Sequence, residues 1–527
     1  MTSPRKADAA HPSTAGEPTM PALSVLDLAM FVLESPDRHF NVGPLVVLDP
    51  PVRSRAGFAD RLHARLLERP AGPPFTYRLR TPRVGMPSLE EDPDFDLARH
   101  VQRVTLKAPG TMQQLVDHVG SLHQKHLSRA HPLWQFYVID GLEGGKVALF
   151  GKMHHGVIDG RTFVQVISNW LALSPRERTV RAMWEGVPQS ARNGAARATL
   201  VERLSGAVGQ ATGATGTVAS LYRMLAGQAL AGVGVGSRKS LLLPFTGIPR
   251  VLQGRSSAQR SFSYCTLPIH DMKALAKARG ASLNDLLLLT LDLALDRYLA
   301  EIGTRPDKPL ITAMPVALGG AKGGNQIAVL QFPLGAPGKS AAGRLDDIRG
   351  HTATVKEVVK RESSEMVMLF TALVHGIPGM LDKFGLKGGL PVSNMVVSNP
   401  FGLPEDRYLM GAKVELVLPL SLVNAGQMLN ITAVTLGNQL QLAFLAIPDA
   451  VPNVDKLARH TREVFDTLEA ALSDSDSAKK ASARRRERAP ARVGSKPATA
   501  PSKRQNLRKR ASTVTTTKPH RDRPALR

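Results

Sequence analysis

Apolar residues along this chain recur with two periods. A period near two, or a short unbroken apolar run, marks Val42 to Leu48, Lys146 to Phe150, Ser261 to Leu267, Leu310 to Val316, Ile327 to Pro333, Ser393 to Pro400, Leu429 to Thr432 and Gln439 to Leu445 as strands. A period near 3.6 marks helices over Phe58 to Arg69, Met112 to Leu127, Thr162 to Leu173, Ile269 to Ala278, Leu286 to Leu299, Ala342 to Arg361 and Val454 to Leu472. Strands and helices alternate through both halves of the sequence, which predicts an α/β protein. Ser282-Leu283-Asn284-Asp285 reads as a capping box that opens the strongest of these helices, with Asp where Glu is commoner. That helix is interrupted by Asp292 and Asp296, so no run is apolar enough to span a bilayer.

The pattern fades in three places. Residues 1–20 are polar and read as a disordered leader. Residues 188–259 are rich in Ala and Gly and read as a crossover, with helical stretches at 199–208 and 218–230, between a first half at 21–187 and a second at 260–472. Residues 473–527 read as a basic, disordered tail with almost no large apolar residues. With 527 residues the chain has ample length for two cores. The single Cys265 excludes an intramolecular disulfide and fits a reducing compartment. Charge is uneven: the tail holds 17 Lys and Arg against 4 Asp and Glu, in a chain of net charge +24. Such a tail is a solvated extension, or it attracts anionic lipid or nucleic acid, and its charge alone does not separate these.

The densest chemistry lies at Lys152-Met153-His154-His155-Gly156-Val157-Ile158-Asp159-Gly160. The histidines end a predicted strand and precede a predicted helix. Only one of two consecutive side chains in extended backbone faces a given cavity, so His154 and His155 have different surroundings. Neutral imidazole accepts a proton near physiological pH. Asp159 suits an orienting partner or a helix N-cap, and Gly160 a tight turn. Taken alone, the spacing reads first as two satisfied histidines beside a capped helix, and next as a catalytic base. A zinc site ranks last, because no second ligand cluster accompanies it.

HHxxxDG resembles the signature of acyltransferases with the chloramphenicol-acetyltransferase-like fold. The flanks narrow the likeness. Pro132-Leu133-Trp134 and Ile139-Asp140-Gly141-Leu142-Glu143-Gly144-Gly145 stand before the histidines, and Asn284-Asp285, Pro315-Val316, Gly324-Asn325 and Ser398-Asn399 follow. In that order, from about residue 22 to 472, they are similar to the bacterial wax ester synthase/acyl-CoA:diacylglycerol acyltransferase family. Asn41 replaces the family's usual His before Val-Gly, Ser128 an acid, and Gln135 the Glu after Trp.

The resemblance implies two chloramphenicol-acetyltransferase-like α/β domains, a partly helical crossover and an active site in the channel between them. It implies direct transfer of a long-chain acyl group from acyl-CoA to the hydroxyl of diacylglycerol or a fatty alcohol, with acyl-CoA as substrate and no cofactor or metal. His155 is then the general base, supported by His154, Asp159 and Gly160. Asn284, Asp285, Ser398, Asn399 and Glu34 bind substrate or shape the site, and Pro132, Leu133 and Trp134 are scaffold. The implied location is the cytoplasm, at the inner face of the membrane or at lipid inclusions, with the basic tail as tether and no specific nucleic acid. The rivals are a same-fold acyltransferase with another acceptor, such as an amine, and a lipid-binding scaffold with weak or no turnover.

Overall fold

A computed structural model of the chain describes residues 25–82, 87–158, 160–186, 244–317, 327–384 and 390–488. The leader, most of the crossover with its two expected helices, Gly324-Asn325, and the tail beyond residue 488 lie outside these residues.

Helix α1 (Val25–Leu33) leads into β1 (Asn41–Asp49), in which eight of nine residues are buried. A strand covered on both faces has no reason to alternate, and its sequence does not. Next come α2 (Phe58–Leu67), the small hairpin β2 (Tyr77–Arg80) and β3 (Ser88–Glu91), α3 (Leu97–His100), β4 (Val101–Thr105), α4 (Met112–His123), β5 (Trp134–Asp140), β6 (Val147–His154) and α5 (Gly160–Trp170). The second half comprises β7 (Ser261–Pro268), α6 (Ile269–Ala278), α7 (Leu283–Glu301), β8 (Ile311–Ala317), β9 (Ile327–Pro333), α8 (Ala341–Arg361), α9 (Ser364–Lys383), β10 (Met395–Leu403), β11 (Tyr408–Leu409), β12 (Ala412–Leu420), β13 (Leu429–Leu436), β14 (Gln439–Ala446) and α10 (Val454–Arg488). The architecture is two α/β layers, as the alternating pattern predicts. One six-stranded sheet has the order β11-β12-β1-β6-β5-β4, and the other β7-β14-β13-β10-β8-β9.

The sheets do not divide where the chain does. β11 and β12 come from the second half yet complete the first sheet, with β12 antiparallel to β1 from Gly43–Leu420 to Asp49–Lys413. A bulge interrupts this ladder: Val47 faces Leu416 and Leu48 faces Val414, leaving Glu415 extra. The buried amide of Gln441 on β14 satisfies that bulge. Its Nε2 donates to Glu415 O at 3.0 Å, and its Oε1 accepts from Val417 N–H at 2.6 Å. One core cluster joins the two sheets here, with Leu45, Val47 and Phe150 from the first and Phe262, Ala443 and Leu445 from the second. On the other edge β1 lies so close to β6 that a Cβ at Gly43 would stand 1.6 Å from Gly151 O. Only glycine fits there.

Several boundaries differ from expectation, and two helix ends show why. Helix α4 stops at His123, four residues before Leu127. Asn41 Nδ2 donates to the carbonyls of His123 and Lys125, and Lys152 Nζ to those of Leu122 and Lys125. Side chains from β1 and β6 thus occupy the carbonyls around the helix end. Helix α10 continues past Leu472 to Arg488, which corrects the expected disorder over residues 473–488. Ala, Lys, Arg and Glu are good helix formers, and neither Gly nor Pro occurs in the helix before Pro490.

The bulge clamp gives a direct test. Gln441→Leu strips a buried and a part-buried backbone group of their partners, so it should cost about 2–4 kcal/mol. Urea unfolding of wild type and variant measures this. An unchanged midpoint would show that the amide contributes nothing to joining the sheets.

Candidate active site

Strand β6 ends at His154, which stands opposite Asn41 of β1, one position after the Met153–Trp134 pair with β5. The chain then turns. His155 N–H donates to Phe40 O at 2.8 Å, and Val157 N–H to His154 O at 3.0 Å. Helix α5 starts at Gly160, and its sequence partner Asp159 lies outside the described residues. The two imidazoles are treated differently, as opposite faces require. His154 is 1% exposed, whereas His155 is only partly buried.

The ring of His154 stacks on Phe31 of α1, with centroids 4.4 Å apart and planes at 8°. Its Nδ1 accepts the Gly156 N–H at 3.1 Å, which places the proton of the neutral ring on Nε2. Nε2 faces Glu34 Oε1 at 3.6 Å, too far for a hydrogen bond. Burial, followed by the charges of His155, Arg129 and His126, pushes the His154 pKa down to about 3. Glu34 does not reverse this, because its carboxylate is already engaged by Arg129 Nη2 at 2.7 Å. His154 is therefore a neutral ring of fixed tautomer beneath the turn that carries His155.

Glu34 thus lies near the first histidine, within a group that includes Arg129 and His126. Neither Phe31 nor Arg129 was singled out from the sequence. Phe31 is one apolar residue among several in its helix, and Arg129 lies in a non-periodic turn. The pointer available was Glu34 itself, an acid closing an otherwise apolar segment.

Pro132, Leu133 and Trp134 are buried. Trp134 Nε1 donates to Phe75 O at 2.7 Å, and its ring stacks on His100 and Trp184. Leu133 packs with Phe31 in one small cluster, and its carbonyl accepts from His154 N–H at 2.9 Å. Gln135 stands opposite Lys152 in the strand register and accepts from Tyr137 Oη at 2.7 Å.

In the second half, Ser282 and Asp285 form the capping box of α7. Asp285 Oδ2 accepts from Ser282 N–H and Oγ–H, and Oδ1 from Thr352 Oγ1 at 2.8 Å. Burial alone would raise its pKa, but these donors outweigh it and hold the carboxyl below its ordinary value. Asp285 is thereby committed to the helix start. Its neighbour Asn284 is exposed, and its Oδ1 accepts from Asn399 Nδ2 at 3.3 Å across 115 positions of sequence. Ser398 and Asn399 sit on β10 where the strand departs from regularity. β10 pairs with β8 only through Met395 and Val396, and its register against β13 shifts between Ser398 and Phe401. Helix α5 packs against β10, so the histidine turn and this irregular strand belong to neighbouring elements. Among the described residues, no group of three His, Cys, Asp or Glu side chains is placed to hold a metal ion.

Comparison with known proteins decides the family. Residues 23–287 match the wax ester synthase/diacylglycerol acyltransferase catalytic domain, and residues 323–469 the C-terminal domain of the same proteins. The chain belongs to the wax ester synthase/diacylglycerol acyltransferase family. A Mycobacterium tuberculosis relative described as a probable diacylglycerol O-acyltransferase is 32% identical over 461 residues, covering 85% of this chain and 97% of that protein. An Acinetobacter baylyi protein, O-acyltransferase WSD, is 26% identical over 468 residues, covering 88% of this chain and all of its own. Among solved structures, the Marinobacter aquaeolei wax ester synthase/diacylglycerol acyltransferase has a TM-score of 0.65 at 22% identity, over 86% of this chain and 99% of that one. A condensation domain of the calcium-dependent antibiotic synthetase shares the fold more distantly, with a TM-score of 0.51 at 16% identity over 87% and 96%. This member of the family is thus an acyltransferase of the wax ester and diacylglycerol type, with the two-domain fold that the motif implies.

The buried imidazoles make its stability depend on pH. Burial lowers the pKa of His39 and His123, and brings His375 to about 4, as it brings His154 to about 3. In the unfolded chain these rings titrate near ~6.5. Below that pH the unfolded state binds protons that the folded state refuses, so stability falls as pH falls from ~6.5 toward the folded values. Urea unfolding between neutral pH and pH ~5 should show this loss. In His123→Phe the slope should be shallower by about 1.4 kcal/mol per pH unit. A slope unchanged by the substitution would show that His123 does not contribute.

Proposed function

We propose that this protein transfers a long-chain acyl group from acyl-CoA to the hydroxyl of diacylglycerol or a fatty alcohol, with His155 as general base. The observation that carries this is the division of labour in the histidine pair. His154 is buried, neutral and fixed by Phe31 and Gly156, and it supports the turn from which partly exposed His155 projects. Asp159 and Gly160 support the base in this reading.

His155 takes the proton of the acceptor hydroxyl as its oxygen attacks the thioester carbonyl carbon. The resulting tetrahedral intermediate places negative charge on the former carbonyl oxygen. Asn284, Ser398 and backbone amides near the β10 irregularity are the candidate donors to it, and Asn399 and Asp285 hold Asn284 in place. Collapse breaks the carbon–sulfur bond, and the departing thiolate recovers the proton from His155. The thioester arrives already activated, so the scheme calls for no cofactor. Among the described residues, no helix is long and apolar enough to cross a membrane. Access to lipid acceptors is then peripheral, at the inner face of a membrane or at a lipid inclusion, with the basic tail as one source of attraction.

Free CoA released from palmitoyl-CoA should require hexadecanol or diacylglycerol, and the lipid product identifies the acceptor class. His155→Ala, shown by circular dichroism to be folded, should lose at least about 100-fold in that rate. Release that ignores the acceptor, or equal rates in both proteins, would discard the general-base assignment and leave a scaffold of the same fold.

A further inference from the structure

Helix α9 carries no acidic or basic side chain between Glu365 and Asp382 except His375. One face explains part of this: Met366, Val367, Phe370 and Val374 are buried. The stripe flanking that face is also apolar, and it is open. Leu373 is 38% exposed, Ile377 and Met380 each 41%, and Phe384 just beyond the helix 68%. Their spacing of four, three and four residues makes one stripe. Val32, 41% exposed on α1, adjoins it, since Lys383 Nζ donates to Val32 O. Five of the seven large apolar side chains exposed among the described residues therefore fall on this one patch. Isolated exposed apolar residues are ordinary, but a contiguous set signals something that covers it.

The patch is built into the wall of the site. Arg38, 2% exposed, pairs with Asp382 at 2.7 Å and donates to Leu33 O and to Gly379 O, latching the end of α1 to α9. Gly379 admits the side chain of Leu33, which a Cβ there would meet at 3.1 Å. The helix so latched is the one whose Phe31 stacks on His154. Charge completes the picture. Lys360 and Arg361 precede α9, and Lys383 ends it. The nearby acids Glu362 and Asp382 are engaged by Arg361 and Arg38. An apolar stripe with cations at both ends of its helix matches an anionic lipid interface, where side chains sink among acyl chains and lysines meet headgroups.

We propose that the outer face of α9, with Val32 of α1, seats the protein on an anionic lipid surface, so that acceptor lipid is delivered on the side of the site walled by α1. This rests on the lipid-substrate reading above and adds the surface through which lipid is reached.

The test uses the full chain and flotation with vesicles of phosphatidylcholine and phosphatidylglycerol, read without any turnover. Wild type should float with the vesicles. The double variant Ile377→Asn, Phe384→Asn alters two exposed residues and should partition at least roughly tenfold more weakly, since each loses an apolar side chain from the lipid. Its circular dichroism, and its CoA release with a water-soluble alcohol, should match wild type. Flotation of the double variant equal to that of wild type would overturn the proposal and assign binding to the basic tail. Wild type that stays with the aqueous phase would overturn it in favour of a protein partner. Because flotation needs no catalysis, a failed acyl-transfer assay and a failed docking assay are distinguishable.

Discussion

Strand β1 is hydrogen-bonded on one edge to β6 and on the other to β12, and the placement of the histidines follows from that double pairing. The β6 edge fixes where the strand stops, because Asn41 is the last residue opposite His154 and Phe40 O then takes the N–H of His155. The β12 edge ties the same strand to the second half, and Gln441 secures the irregular point of that ladder. A side chain presented by a loop alone would wander. His155 instead follows directly on a strand buried at all eight positions, which supplies the positional precision that the proposed proton transfer needs.

The first histidine illustrates how burial sets a role. Beneath Phe31, with Nδ1 committed to Gly156, His154 has neither the exposure nor the basicity to exchange protons at neutral pH. Lys152, two residues earlier on the same strand, is likewise buried, and burial brings its pKa down to about 8 while its ammonium binds two carbonyls near the end of α4. Two residues near the end of one strand thus hold a helix end and support a turn. Gln135 stands opposite Lys152 in the strand register but accepts from Tyr137 Oη, while Lys152 finds its partners in backbone carbonyls.

Much of this was legible in the sequence because it is local. The strand-turn-helix around His154 and His155, the capping box of Ser282 and Asp285, and the bounds of α6 and β9 depend on neighbours a few residues apart, and periodicity and capping report such neighbours. What depends on distant partners was not. No pattern tells that β12 crosses into the first sheet, since a period of two marks a strand without naming its neighbour. The early end of α4 is imposed by Asn41 and Lys152 from other elements. Phe31 gains its meaning only when α1 folds over β6. The extension of α10 has another cause: dense charge suggests disorder, although the residues involved favour helix.

The crossing of β11 and β12 has a bearing on how such a protein could arise and how it could move. A polypeptide ending at the crossover would leave β1 with a bare edge of hydrogen-bonding groups, open to pairing with any passing strand. The two lobes are therefore not separable modules that happen to be fused; the first depends on the second to complete its sheet. For the same reason, a swing of one lobe against the other is restrained by the short connections that carry the chain from β10 into β11 and from β12 into β13. Movement of the lobes is therefore tethered at both ends of the exchanged pair of strands.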